Sequence, residues 1–450
     1  MNKLKFWSVA WPIGTEMVLI YSVAFIDLFF LSKISDSAAG AFGALNPLLI
    51  ILVLVLKLIA QGGGVVAARF VGAGDRTRAR DAYMFILTTN IGLGAIAAGS
   101  VFALQHRIGT WLGLTGETAE YARQYLSLYW IVLFAMGFRV AYAAIAASIG
   151  MTRWSTMGFA AGNVFGVTLN CAFAYGWFGL PHLGVRGVLA AASVNYIVNV
   201  CVLGYCVHRK MHVRLAMTAE TRARFLEMVR PVLTTAIPMT LEPVFFNLFQ
   251  LTLTGMIVRM GNEALAARTY AIQITTCIIF WSLSIGQATQ IMTANRIGAH
   301  AFGEAYARVF RSLRYAIGGA IVFTSVVYLN AHALYGFFTN DPAVIHLGVQ
   351  IAAIGFVLEI GRCFNVVCAS SLSAAGDAKF PASMAVIFNW MIGLPLCWYL
   401  GEHLGYGLVG IWVGMTIEEC SRGCCNFLRW QRRGWMESHR RRGRHGATLA

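Results

Sequence analysis

SVAFIDLFFLSKIS, residues 22–35, closes an apolar run that begins near Trp7 and holds a carboxylate, Asp27, well inside it. The run is continuous rather than alternating. It therefore reads as a helix that crosses a bilayer, whose ~30 Å hydrocarbon core asks for about 20 residues. Barrel strands would instead alternate over about ten residues each. The pattern recurs along the chain. Of the 450 residues, 58% are hydrophobic and 12% charged, and mean hydropathy is +0.65, more apolar surface than one soluble core buries. The sequence predicts an all-α polytopic membrane protein with twelve helical spans near 8–31, 44–68, 83–105, 122–147, 154–178, 183–207, 231–258, 268–295, 312–337, 345–372, 378–400 and 406–428.

A net charge of +16 invites a nucleic-acid reading, but the basic residues are spread as topology signals. With the N-terminus inside, the cytoplasmic side receives Lys3, Lys5, Arg69 to Arg80, Arg153, Arg209 to Arg230, Arg296 to Arg314, Lys379 and Arg429 to Arg444. The other side receives only Lys33, Arg107, Arg123, Arg186, Arg259 and Arg268. The positive-inside rule thus places both termini in the cytoplasm. No nucleic-acid partner is expected. The tail HRRRGRHGATLA reads as a disordered segment held near anionic lipid. The first apolar run is too long for the core of a cleavable signal, contains Glu16 and Asp27, and lacks a small-residue cleavage site, so it reads as an uncleaved first span.

An internal repeat organises the chain. A shift of 226 residues lays AWPIGTE (10–16) on AIPMTLE (236–242), so Pro12 meets Pro238 and Glu16 meets Glu242; Gln61 then meets Gln287 and Ala68 meets Ala294 without a gap. Further along, Arg139 and ASIGMTRW (147–154) correspond loosely to Arg362 and SLSAAGDAKF (371–380). Six is an even number of spans, so the halves start from the same side and form parallel repeats, an arrangement suited to alternating access. Four segments follow: a six-helix lobe at 1–207, a cytoplasmic linker at 208–230 patterned as an interfacial amphipathic helix, a second six-helix lobe at 231–428, and a basic tail at 429–450.

IDLFFLSKISDSAAGAFGAL (26–45) resembles the first-helix pattern of the multidrug and toxic compound extrusion (MATE) family of the MOP flippase superfamily. RFVGAGDRTRARDA and NRIGAHAFGEAYA resemble that family's glycine-containing turns after helices two and eight. SSLSAAGDAKFP, followed by GLPLCWYLGEHLGYGLVGIWVGM, resembles its stretch from helix ten to helix twelve. The resemblance implies a secondary transporter that exports organic, often cationic, compounds in exchange for protons or sodium ions. It also implies that Asp27, at the family's first-helix acid, is the residue whose protonation is linked to substrate release. Where many members carry an acid in helix five, this chain has Asn170; where some carry acids at a sodium site of helices seven and ten, it has Phe246 and Arg362. Protons are therefore the expected coupling ion, with sodium the lesser alternative. The expected setting is a bacterial inner membrane, with a monomer sufficient and membrane lipid as surroundings.

The residues carry their own reading of Asp27. Desolvation disfavours the charged carboxylate, which lets the group exchange a proton, and a cationic substrate then competes for the anion. A carboxylate that snorkels or bonds a neighbouring helix is the structural alternative. Glu16 with Arg139, and Glu242 with Arg362, are expected to form symmetric buried ion pairs or an inward gate, because an unpaired charge at that depth costs a few kcal/mol. Lys57 competes as a partner for Glu16, Glu359 offers Arg362 a local one, and Glu418, Glu419 and Arg422 can complete a network. Tyr21, Asn163, Asn170, Gln250, Gln287 and Asn389 are polar candidates for a substrate cavity, or else they tie helices together. Ten cysteines without a CxxC pair, and histidines without ligand spacing, give no metal or cofactor site. A lipid-linked-sugar flippase of the same superfamily is the rival function. A membrane enzyme lacks its DDxxD, GxSxG or P-loop.

Overall fold

The computed structural model describes residues 5–112, 114–175, 183–210 and 219–436. Among these there is no strand. The helices, in chain order, are α1 (Trp7–Ile34), α2 (Asp36–Ala73), α3 (Arg76–Trp111), α4 (Gly116–Ser148), α5 (Arg153–Tyr175), α6 (Gly184–Tyr205), α7 (Ala219–Ala223), α8 (Phe225–Arg259), α9 (Asn262–Gly298), α10 (Phe302–Leu329), α11 (Ala331–Gly336), α12 (Pro342–Ala374), α13 (Lys379–Ile387), α14 (Leu394–Trp398) and α15 (Gly407–Gln431). The chain is an all-α polytopic membrane protein. Nine helical segments among the described residues are long and apolar enough to cross a membrane. The twelve expected crossings include these nine; the others are α1, α5, which Asn163 and Asn170 make more polar, and α15, which carries Glu418, Glu419 and Arg422.

The helices run longer than hydropathy alone marks, because their ends are capped outside the apolar stretch. Ser35, the sole residue between α1 and α2, accepts a hydrogen bond from the Ser37 amide at 3.1 Å. Gly74 ends α2 at φ 77°, a left-handed position that suits glycine. Asp75 then caps α3 by accepting from the Arg78 amide at 2.9 Å, and Asp341 caps α12 in the same way at Ala343, 2.9 Å, ahead of Pro342.

Two expected spans are interrupted. The segment 312–337 divides at Asn330, whose side-chain amide turns back to the Val326 carbonyl at 2.8 Å and leaves α11 as a separate short helix. The segment 378–400 carries π-helical turns at Phe388–Gly393 and Tyr399–His403, on either side of α14. Pro395 offers no N–H to the Met391 carbonyl, so the α-helical ladder cannot continue through this point. The linker expected at 208–230 is not one helix in its described part: α7 is short, and α8 already starts at Phe225. Residues 211–218 and the tail from 437 lie outside the described residues, as do 176–182. The first part of the expected tail is ordered, with Trp430 and Trp435 stacked at 4.4 Å between ring centroids and both buried.

The chain divides into two compact units, Met1–Ala236 and Ile237–Ala450, so the division falls within α8. In the first unit, α2, α3, α4 and α6 surround a core that includes Leu45, Leu56, Val101, Leu126, Leu133 and Leu189. α3 and α4 cross closely at Gly137, where a Cβ would lie 2.7 Å from the Asn90 carbonyl oxygen. In the second unit α12 packs against α9, α10 and α15, and Phe249, Leu253, Ile257, Tyr335 and Trp412 fill a core at one end.

Candidate functional site

The surroundings of Asp27 are built by a polar seam between α1 and α5. Pro12 has no N–H to give the Ser8 carbonyl. Thr152, just before α5, turns its hydroxyl to this region, donating to the Val9 carbonyl at 3.2 Å and lying 3.5 Å from that of Ser8. Thr156 donates to the Pro12 carbonyl at 2.7 Å, Asn163 to the Leu19 carbonyl at 3.5 Å, and Asn170 to Asp27 Oδ1 at 3.1 Å. On α5 the last three donors are seven residues apart, two turns, so they share one face. Their acceptors on α1 advance in step, so the two helices run parallel.

The site is completed from α6. Gly158, Gly162 and Gly166 form a small-residue stripe on α5, and such stripes let helix backbones approach closely in a bilayer. A Cβ on Gly162 would meet the Asn195 carbonyl oxygen at 2.5 Å, and one on Gly166 would sit 3.1 Å from the Asn195 side chain. Asn195, 2% exposed, donates to Asn163 Oδ1 at 2.8 Å. A cavity of about 10 Å³, roughly the room one water needs, is lined by Asp27, Asn170 and Asn195 together with Val23, Ile26, Gly166, Val167 and Ala192. Asn170 Oδ1 and Asn195 Oδ1 are buried without hydrogen-bond partners. Three polar side chains from three helices thus border a small space whose exposed lining is apolar. Tyr125, Tyr129 and Tyr196 lie near enough to interact electrostatically with Asp27, and Tyr125 stacks on Tyr129 at 5.5 Å.

Sequence reasoning found Asp27, Asn163 and Asn170 but missed Asn195. Its signal was present as an Asn in the apolar run of α6, facing a GxxxG spacing on α5. Tyr21, on α1, is 41% exposed and is not among the cavity's lining residues. Gln250, Gln287 and Asn389 all belong to the second unit. The Gln250 carbonyl accepts from Arg268 at 3.2 Å while its side-chain oxygen is buried without a partner; Gln287 is half-buried on α9; and Asn389, fully buried, has no hydrogen-bond partner at either amide atom.

The charged residues assemble differently in the two units. In the first, Arg139 Nη2 bonds Glu16 Oε1 at 2.6 Å, with both side chains largely buried, and the guanidinium lies 4.6 Å from the centre of the Phe159 ring. Lys57 is near enough to act electrostatically on both partners, yet Arg139 makes the bond. In the second unit the expected symmetric pair of Glu242 with Arg362 is absent. Glu242 is paired with Arg422 at 3.9 Å, and Arg362 with Glu359 at 3.6 Å. The cause is α15, where Arg422 also binds Glu418 at 2.9 Å and Glu419 at 2.7 Å, one turn before it. α6, the corresponding helix of the first unit, has no charged residue between Arg186 and Arg209 to compete in this way. Among the described residues no group of histidine, cysteine or acidic side chains is arranged to hold a metal ion, and the ten cysteines are free thiols.

The MatE family model matches the chain twice, over residues 12–172 and 238–399. The two matches begin 226 residues apart, the shift at which the halves of the sequence align. An uncharacterized transporter, YisQ, of Bacillus subtilis (strain 168) is 31% identical over 432 residues, spanning 96% of this chain and 94% of that protein. A probable multidrug resistance protein NorM of Thermotoga maritima is 24% identical over 449 residues, again spanning 96% and 94%. Among solved structures, one of MATE in complex with MaL6 matches with a TM-score of 0.85 at 17% identity, over 97% of this chain and 96% of the other. An outward-facing MATE family transporter of the MOP superfamily matches at 0.84 and 17%, over 96% of each chain. At such identities these two likenesses concern the fold alone.

Proposed function

This chain belongs to the MatE family of membrane transporters, and from that premise we propose that it exports organic cations from the cytoplasm in exchange for protons, by alternating access. The observation that carries the proposal is Asp27, a carboxylate in a membrane helix beside a water-sized cavity. Asn170 Nδ2 donates to Oδ1 of that carboxylate, which leaves Oδ2 for a proton. A donor aimed at the carboxylate occupies a position that a metal cation would need, and this favours protons over sodium. A cationic substrate and a proton are alternatives at one anion, and mutual exclusion at a shared site is what coupled exchange requires. Asn163, Asn170 and Asn195 are positioning residues in this scheme, holding the carboxylate on the α1–α5 seam.

The proposal includes a monomer in a bacterial cytoplasmic membrane with both termini inside, supported by the distribution of Lys and Arg. Its test is the collapse of a pre-set pH gradient in everted vesicles when ethidium is added, read by a fluorescent pH probe. The wild-type chain is expected to collapse the gradient without sodium, and Asp27→Asn at equal expression is expected not to. Transport that requires sodium would overturn proton coupling. No response to any cation under either gradient would point to lipid flipping instead.

A further inference from the structure

The two halves differ in what they place at one end of α3 and of its counterpart α10. Under the 226-residue shift, Phe70, Ala82, Phe85 and Thr88 fall on Arg296, Arg308, Arg311 and Arg314. In the first unit this face is covered. Ala82 and Phe85 are buried, the Phe85 ring lies 4.9 Å from that of Phe225 at the start of α8, and Asp81 beside them accepts from Thr221 of α7 at 2.8 Å. In the second unit arginines replace these residues, and Arg311 and Arg314 are exposed.

The arginines gather in one place. Arg296, in the last turn of α9, and Arg311 both act electrostatically on Arg308, and Arg311 acts on Arg296 as well. Arg308 is 6% exposed; its Nε donates to Ser312 Oγ at 3.3 Å, and its guanidinium lies 5.7 Å from the centre of the Tyr315 ring. Arg296 Nη1 donates to the Met292 carbonyl at 3.3 Å. Its Nε is buried and makes no hydrogen bond, with Glu304 Oε2 at 3.6 Å, and the Glu304 side chain is half exposed. Guanidiniums within reach of one another repel, and salt screens partly buried charges only weakly. An anion with several oxygens relieves that repulsion, because the guanidinium fork matches phosphate geometry.

Depth identifies where such an anion comes from. Between Ala316 and Leu329 α10 has no charged residue, so Arg308, Arg311 and Arg314 occupy the turns just before the apolar stretch. Tyr315 stands at the boundary, the level at which tyrosine collects in membrane proteins. Arg308, Arg311 and Tyr315 are spaced i, i+3 and i+7 and share one helix face. That face lies where lipid headgroups begin.

We propose that Arg296, Arg308, Arg311 and Arg314 form a site for the headgroup phosphate of an anionic phospholipid. The lipid covers in the second unit the face that Thr221 and Phe225 cover in the first. The proposal does not depend on which substrate the chain exports or which ion drives it.

Native mass spectrometry of the purified full-length protein, released from detergent after equilibration with phosphatidylglycerol or phosphatidylcholine, tests it. The wild-type chain is expected to keep one phosphatidylglycerol under activation that strips phosphatidylcholine. Arg311→Gln combined with Arg314→Gln changes exposed residues only, so folding is spared, and should weaken phosphatidylglycerol retention roughly tenfold, the scale set by two basic residues at a lipid surface. Arg76→Gln combined with Arg78→Gln removes the same charge from exposed positions on α3 and should leave retention unchanged. Equal losses in the two pairs would mean that net charge alone matters, and overturn the proposal. Undiminished retention in the α10 pair overturns it too, as does a wild-type chain that keeps neither lipid. Displacement of phosphatidylglycerol by millimolar inorganic phosphate would assign the arginines to a soluble anion and overturn the lipid site.

Discussion

Removing the carboxylate of Glu16 should harm the first unit more than its bond to Arg139 alone suggests, and Lys57 is the reason. Glu16 is the acid placed against two cations, Arg139 at 2.6 Å and Lys57 within electrostatic reach of both. Glu16→Gln leaves those cations facing each other in a largely buried place, and breaking a buried pair from one side costs about 3–5 kcal/mol. Arg139→Gln also forfeits the contact over Phe159, about 0.5–2 kcal/mol, but Glu16 keeps Lys57 as a partner. The two variants should then respond to Lys57→Met with opposite sign. Added to Glu16→Gln it removes an uncompensated cation and restores stability; added to Arg139→Gln it strips the acid of its remaining partner and lowers stability further. Coupling between contacting charges is typically about 0.5–3 kcal/mol, and for a unit of this size each kcal/mol moves an apparent melting point by roughly 2–4 °C. Graded heating of the detergent-solubilised protein, followed by size exclusion on a fluorescent tag, measures the order. If Lys57→Met destabilises both backgrounds alike, Lys57 is not part of this electrostatic group and the reasoning fails.

Three further outcomes follow from particular contacts. Asn170→Leu deletes the donor on Asp27 Oδ1; a hydrogen bond to the charged form favours that form, so without it protonation persists to higher pH and the pH profile of ethidium exchange should move to the alkaline side. An unchanged profile would mean that the contact is not made in the working protein. Asp81, 2% exposed at the start of α3, accepts from Thr221 at 2.8 Å and pairs with Arg224 at 3.5 Å. Asp81→Leu, at a cost of about 1.5–3 kcal/mol for a charged hydrogen bond, should speed tryptic cleavage at Arg222 and Arg224, and equal rates would show that α7 is held by other contacts. Gly137→Val puts methyl groups where a Cβ alone would lie 2.7 Å from the Asn90 carbonyl oxygen. Overpacking typically costs about 1–3 kcal/mol, so a lower yield of monodisperse protein is expected, while Gly99→Val on α3, where a Cβ meets nothing within 4 Å, should be silent.

Much of this was legible because the bilayer imposes length and continuity on every span, and because a duplicated chain repeats its unusual residues. Pro12 and Glu16, returning as Pro238 and Glu242, exposed the halves. The acid at the site was conspicuous as a carboxylate set deep in a long apolar run. Its setting was less legible. Asn195 looks like any polar residue that ties helices together until Gly162 and Gly166 are seen to bring its backbone against α5. The interruption of 378–400 was missed because hydropathy does not register a lost N–H. Pro395 changes the backbone ladder while leaving the apolar pattern intact.

The pairing of Arg362 failed for a different reason, and it says most about the two halves. Repeat symmetry predicts where residues lie along their helices, but an ion pair depends on every charge that can reach it. In the first unit α6 brings no competing charge, so Glu16 takes Arg139, and with Lys57 the group counts two basic side chains against one acid. In the second, Arg422 draws Glu418, Glu419 and Glu242 to itself, Arg362 falls to Glu359, and four acids meet two cations. The duplicated framework has been kept while its balance of acidic and basic side chains has reversed. A framework that served only to lock the helices would gain nothing from that change, since an uncompensated buried charge destabilises whichever sign it has.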